Sequence, residues 1–345
     1  MGTEDVISEY NDKVISNNQI VTVFLTSSNR AKYVGEAIKS ILNQTYSNFS
    51  LVILDNYSKD GSQEIFKKLK SEDSRLILIE RKSEILFDNF KYAFSMCRTK
   101  YLVVFHDDDI VGETYLEDAL STMERSGYEM LSPLAYYIDE AGKIVAAASD
   151  VKTRVYTNDE YLNCLLSTHE TGVTFPATIY RTAFYRDIDN FINYEYAGPA
   201  GDQLIPLQTE RNGGKICILG KRLLYYRIHN EQGSTGNHGV MELKLLHFLL
   251  EDDYYKGILR GKDDKMFSYL LYCYKALIRN YIEHNDISQI KQALSINRDI
   301  LKGFGFKTNA IGLLYHISYR APALVIRPLG NLLRIRIKKR EKSIE

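Results

Sequence analysis

Three adjacent carboxylates, Asp107-Asp108-Asp109, follow the apolar run Tyr101-Leu102-Val103-Val104-Phe105 and His106. Like charges at the end of a buried strand repel one another and destabilise the fold unless a cation neutralises them. Hard divalent ions take oxygen ligands and commonly bridge to substrate phosphates, so the triplet predicts Mg2+ or Mn2+ with a diphosphate. An isolated Asp-Asp-Asp reads as a solvated acidic turn. Here two further polar clusters, Thr26–Arg30 and Asp55–Asp60, also follow apolar runs directly, which turns the reading toward a binding site.

The elements that must position these clusters are legible as periodicity. Ile20–Thr26, Leu51–Leu54, Leu76–Ile79 and Tyr101–Phe105 are short apolar runs of the kind buried on both faces of a sheet. Between them, Val34, Ala37, Ile38, Ile41 and Leu42 fall on one helical face, as do Ile65, Phe66 and Leu69. Asp55–Gly61 is rich in turn formers. Alternating strands and helices predict an α/β fold with a mostly parallel sheet covered on both faces. In such sheets ligands bind at the carboxyl ends of the strands, so the three clusters are expected to converge on one edge.

From residue 130 to 235 the pattern mixes short strands, turns and helical pieces, and from about 240 it turns helical. The expected organisation is a loose polar leader over 1–18, an α/β domain over 19–238 that divides into 19–110 and 111–238, and a helical region over 239–345.

With 345 residues, 45% hydrophobic and 26% charged, the chain has the composition of a globular protein. A net charge of zero argues against a general nucleic-acid binder. Cys97, Cys164, Cys217 and Cys273 show no metal-ligand spacing, which suits reduced thiols and a cytoplasmic setting. The N-terminus lacks the apolar core of a signal peptide, and no stretch reaches the roughly 20 apolar residues of a spanning helix. Gly312–Lys339 mixes apolar residues with regularly placed cations, as in segments that lie on an anionic membrane surface, here the inner face of the cell membrane; a packed helix with a ragged basic end is the alternative.

Taken in order, four segments resemble glycosyltransferase family 2, the large inverting family with the GT-A fold, in its bacterial capsule and O-antigen branch. They are Leu25-Thr26-Ser27-Ser28-Asn29-Arg30, Ser40-Ile41-Leu42-Asn43-Gln44-Thr45-Tyr46, Asp55-Asn56-Tyr57-Ser58-Lys59-Asp60-Gly61 and Phe105-His106-Asp107-Asp108-Asp109. Thr26 and Ser28 replace the family's usual proline and tyrosine, and Asn56 replaces an aspartate. The absence of tryptophan disfavours the processive cellulose- and hyaluronan-synthase branch, which carries Q-x-x-R-W.

The resemblance implies a mixed, mostly parallel GT-A sheet flanked by helices, with a helical C-terminal extension; 19–238 would be the catalytic domain, with 19–110 its nucleotide-binding half and 111–238 its acceptor half. It implies metal-dependent transfer of a sugar from a UDP- or dTDP-sugar to a hydroxyl of a glycan or polyprenyl-linked saccharide, using Mn2+ or Mg2+. Ser27 and its neighbours would contact the nucleotide, and Asp55 would accept from the base imide. Asp109 would bind the metal, and Asp107 the ribose or metal. Asp108 is grouped with the nucleotide-binding residues. Asn29 and Arg30 join that group or serve as a helix cap and a surface charge. Asp202, in Gly198-Pro199-Ala200-Gly201-Asp202-Gln203-Leu204, stands where the family's catalytic base lies; otherwise it caps the helix beginning at Gln203. In Tyr225-Tyr226-Arg227-Ile228-His229-Asn230, His229 would reach the metal or diphosphate and Arg227 would offset leaving-group charge. His169 and Glu170 line the acceptor pocket or form a solvated turn.

Two other readings stand beside this one. A sugar-phosphate nucleotidyltransferase also joins a parallel sheet to metal-binding acids, but Leu25–Arg30 lacks the glycine-rich loop it would need. The other is a non-catalytic sugar-nucleotide-binding partner within a biosynthetic complex.

Overall fold

The computed structural model of the chain describes residues 3–82, 88–148, 152–186, 188, 202–230, 232 and 238–262, and short runs at 264–266, 268–270, 272–273 and 276–277. The chain divides into two compact units. The first takes residues 1–162, 170–192 and 204–230, and the second 163–169, 193–203 and 231–345.

The first unit is built on one mixed sheet. Its strands are β1 (Val21–Ser27), β2 (Phe49–Asp55), β3 (Leu76–Glu80), β4 (Tyr101–His106), β5 (Ile110–Val111), β6 (Met130–Ile138), β7 (Ile144–Ala147), β8 (Arg154–Tyr156), β9 (Thr178–Arg181) and β10 (Ile216–Arg227). They run in the order β3-β2-β1-β4-β9-β6-β10-β5, with β7 on β6 and β8 on β10. The β3-β2-β1-β4 section is parallel, as the apolar runs predict, and every residue of β1 and β2 is buried. β9 lies antiparallel to both β4 and β6, so strands from either side of residue 110 share one sheet.

Helices α2 (Val34–Leu42) and α3 (Ser62–Glu72) join the parallel strands, and α4 (Asp88–Met96) and α5 (Tyr115–Ser126) follow. Val34, Ala37, Ile38 and Ile41 of α2 and Phe66 and Leu69 of α3 enter the core beneath the sheet. Each such side chain contributes about 1.5–3 kcal/mol through burial. Short helices α6 (Glu160–Thr168), α7 (Thr182–Arg186) and α8 (Leu204–Arg211) fill the later connections.

The N-terminal segment departs from expectation. Residues 3–16 form α1 (Thr3–Ser16), not a loose leader. Val6, Tyr10 and Val14 recur every fourth residue and are buried, and the Tyr10 hydroxyl lies 3.0 Å from Thr22 Oγ1 of β1. The polar face of this helix masks a narrow apolar stripe, which is all that an edge helix requires.

In the second unit, α9 (His238–Glu251) and α10 (Asp253–Leu259) agree with the expected helical region. The basic segment 320–345 lies outside the described residues. Among the described residues no helix is long and apolar enough to cross a membrane. Among the described residues Cys97, Cys164, Cys217 and Cys273 form no disulfide.

Candidate active site

Strand register brings the three polar clusters together. Ser27 pairs with Asp55 across β1 and β2, and Thr26 pairs with His106 across β1 and β4. The ends of three adjacent parallel strands therefore open on one edge, where an α/β sheet presents its ligand site.

The first two loops are tied to each other. Asn29 N–H donates to Ser58 Oγ (2.8 Å) and Lys59 N–H donates to Asn29 Oδ1 (2.8 Å). Ala31 N–H donates to Asp60 Oδ2 (2.8 Å), while Asp60 Oδ1 accepts from Ser62 N–H (3.1 Å). Gly61, at φ 99°, makes the left-handed turn before α3 that a side chain would strain. Asn29 and Asp60 thus work as loop clamps. Asp55 is wholly buried and accepts from Ser58 N–H (3.0 Å), the Ser58 hydroxyl and Gln63 Nε2 (2.6 Å), so it presents no exposed oxygen and holds the β2 loop in shape.

The second resembling segment supports the triplet from behind. Gln44 Nε2 donates to Gly112 O (2.7 Å), Gln44 Oε1 accepts from Leu116 N–H (2.9 Å), and Ser40 Oγ accepts from Val111 N–H (3.2 Å). These bonds fix β5 just after Asp109. β5 then pairs with Leu224 and Tyr225 of β10, which delivers Arg227 to the triplet.

Each aspartate has a different environment. Asp107 Oδ2 accepts from Ser28 N–H (3.1 Å), and Arg30 Nε lies 3.7 Å from Oδ1. Asp108 Oδ2 accepts from His229 Nε2 (2.9 Å). Asp109 is 0% exposed; its Oδ1 accepts from Arg227 N–H (2.8 Å), and among the described residues its Oδ2 has no hydrogen-bond partner. His106 Nδ1 lies 3.9 Å from that oxygen, and His106 Nε2 is likewise without a hydrogen-bond partner among the described residues.

Burial first, then the neighbouring Asp108 charge, push the Asp107 carboxyl up to about 7. The same two causes, in the same order, raise Asp109 well above the ordinary carboxylate range. Burial lowers His106. Donor atoms of His106, Asp108 and Asp109 lie within 4.8 Å of one another, a group able to hold a metal ion. Like charges about 4 Å apart repel by about 4 kcal/mol at an effective dielectric of about 20. One neutral hydrogen bond returns only about 1 kcal/mol, so a proton or a cation must relieve the cluster. An orphaned carboxylate oxygen flanked by an imidazole and a second carboxylate fits a divalent ion.

Arg227 is held among backbone and side-chain acceptors around the triplet. It is 1% exposed, and Nε donates to Asp108 O (2.8 Å), Nη1 to Asp139 O (3.2 Å) and Glu140 O (3.1 Å), and Nη2 to Glu36 Oε2 (2.6 Å). Tyr33 packs against both Arg227 and His229, with each about equally near its ring (5.0 Å). Arg227 therefore braces the backbone of the triplet. His229 reaches the triplet through Asp108. His106, Glu36 and Tyr33 were assigned no role from sequence; His106 alone carried a signal, its place at the strand end.

Asp202 and His169 belong to the second unit. Asp202 is partly exposed, and burial, then the charge of Glu242, push its carboxyl up to about 7. His169 stacks on Tyr272 with ring centroids 4.2 Å apart, and its Nδ1 lies 2.9 Å from Leu165 O.

A carboxylate cluster at the carboxyl edge of parallel strands is the architecture in which α/β enzymes hold nucleotide ligands. Comparison with known proteins narrows that class. The Glycosyl transferase family 2 model matches residues 22–189. An uncharacterized glycosyltransferase of Methanocaldococcus jannaschii is 31% identical over 217 residues, covering 61% of this chain and 71% of that protein. One from Haemophilus influenzae is 24% identical over 233 residues, covering 65% and 70%. Among solved structures, S. aureus TarS in complex with UDP aligns with a TM-score of 0.60 at 19% identity, over 82% of this chain and 80% of that one. The chain belongs to glycosyl transferase family 2 and has the GT-A fold.

Proposed function

We propose that this chain is an inverting, metal-dependent glycosyltransferase that moves one sugar from a UDP- or dTDP-sugar to a hydroxyl of a glycan or lipid-linked glycan. The observation that carries the reading is Asp109, wholly buried with one oxygen unpartnered among the described residues, beside His106 and Asp108 at the edge where β1, β2 and β4 end. Asp109, with Asp108 and His106, would hold Mn2+ or Mg2+; when bound, the ion supplies Lewis-acid stabilisation of a departing diphosphate. His229 orients Asp108. Asp107, held by Ser28 N–H and facing Arg30, lies toward the ribose and phosphates, with Ser27 beside it. A structural neighbour solved with UDP supports a uridine base.

Asp202 accepts the proton of the acceptor hydroxyl. As that oxygen bonds to the anomeric carbon from the far face, the bond to the nucleoside diphosphate breaks, so configuration inverts and no covalent enzyme intermediate forms. A base near neutral pKa suits this task. Peripheral attachment through residues 320–345 belongs to the same reading, since a lipid-linked acceptor lies at a membrane surface.

A donor screen tests the whole. Nucleoside diphosphate release is measured across UDP-, dTDP- and GDP-sugars with Mn2+ and a mixed glycan acceptor pool. Release from uridine or thymidine donors is expected, and Asp202→Asn should lower it by about 10²–10⁴-fold while donor binding persists. Release from GDP-sugars alone, or unchanged turnover in Asp202→Asn, would contradict the donor or the base assignment respectively.

A further inference from the structure

Sugar transfer gives no role to the buried acid Glu242. Glu242, on α9, is 2% exposed. It accepts from the Tyr269 hydroxyl, and from Gln203 Nε2 at 3.4 Å. Gln203 is the next residue after Asp202, and the two form the turn that precedes α8. The side chain gripping Glu242 is therefore the chain neighbour of the proposed base. The titratable groups that feel Glu242 are Asp202, Tyr269 and Cys273.

Burying a carboxylate costs several kcal/mol unless hydrogen bonds or a proton compensate it. An apolar side chain would meet the packing of a buried helical position without that cost. The acid at this position calls for a purpose beyond folding, and its bond from Gln203 leads to the residue beside Asp202.

We propose that Glu242 is a positioning residue for Asp202: through its hydrogen bond from Gln203 it fixes the turn that carries the base, and its charge acts on that base. The inference rests on Asp202 being the base. Burial raises Glu242 to about 7, against the pull of the Tyr269 hydroxyl, and the Glu242 charge adds to burial in raising Asp202. With Glu242 neutralised, Asp202 would ionise at lower pH and become a weaker base.

The test follows the Asp202 side-chain carboxyl by carbon NMR across pH in the full chain, its signal assigned by comparison with Asp202→Asn. In Glu242→Gln the Asp202 midpoint is expected to fall by about one unit or more, a tenfold change in acidity. Glu242→Asp should restore part of it. Tyr269→Phe, which leaves the acid in place without its hydroxyl donor, should let Glu242 keep its proton and move the midpoint the same way by less. The acidic limb of kcat/KM should follow these shifts, with the donor the screen identifies. An unmoved midpoint in both Glu242→Gln and Tyr269→Phe, with Asp202→Asn inactive, overturns this inference alone. Retained turnover in Asp202→Asn overturns the reading of the base, and this inference with it.

Discussion

At the sheet edge, Asp107, Asp108 and Asp109 are consecutive, and two of them accept bonds from fixed backbone N–H groups, those of Ser28 and Arg227. In the second unit, Glu242 accepts from two side-chain donors, Tyr269 and Gln203, and Gln203 is the chain neighbour of Asp202. Both groups bring carboxylates out of water, and in both burial is the first cause of the raised pKa values. The remedies differ. The triplet has an oxygen without a protein partner among the described residues, whereas Asp202 and Glu242 can each take up a proton. One group should therefore answer to metal and the other to pH, although the same physical cost underlies both.

Three measurements separate them, and the largest effect falls on the frame. Arg227→Met strips donors from the carbonyls of Asp108, Asp139 and Glu140. At about 1 kcal/mol for each carbonyl left without a donor, urea unfolding should show a loss of about 3 kcal/mol. A loss under about 0.5 kcal/mol, the range of ordinary surface substitutions, would mean that Arg227 does not brace the triplet. Second, Mn2+ at about 100 times its dissociation constant should stabilise the native chain by about 2.7 kcal/mol, read as a rise in Tm. Asp109→Asn should abolish that rise and Glu242→Gln should keep it; the reverse pattern would exchange the two assignments.

The smallest effect is in pH. Asp202 and Glu242 stand near 7 in the folded chain, above the ordinary carboxylate range that applies when it is unfolded. Between those limits the native state binds more protons, so stability falls as pH rises from about 4 to about 7 and then levels. Measured with saturating Mn2+, which keeps the triplet charged, Glu242→Gln should flatten this slope by an amount on the order of 1 kcal/mol, since water reaches Asp202. An unchanged slope would remove Glu242 from the titration.

The fold was legible where chemistry and position coincide in sequence. The four parallel strands and the edge they share follow from Ile20–Thr26, Leu51–Leu54, Leu76–Ile79 and Tyr101–Phe105, because a buried parallel strand must be a short apolar run. Helix α1 was missed because three apolar residues spaced four apart give a weak signal in a polar segment. The triplet was legible as an acidic cluster at a strand end, but the separate environments of its three carboxylates were not. Arg227 reaches Asp109 only because β5 pairs with β10, a contact between distant segments that no local pattern records. Glu242 and Tyr269 were invisible for the same reason: helical periodicity marks both as interior, without saying which acid they meet.

The most direct test of the account is Mn2+ dependence at the triplet itself. Nucleoside diphosphate release from the preferred donor is compared for the native chain and Asp109→Asn, in Mn2+ and after chelation. Release should require Mn2+ and fall by about 10²–10³-fold or more in Asp109→Asn, the scale expected when transition-state charge loses its stabilisation. Full release after chelation, or from Asp109→Asn, would contradict the assignment of the triplet as the metal and diphosphate site.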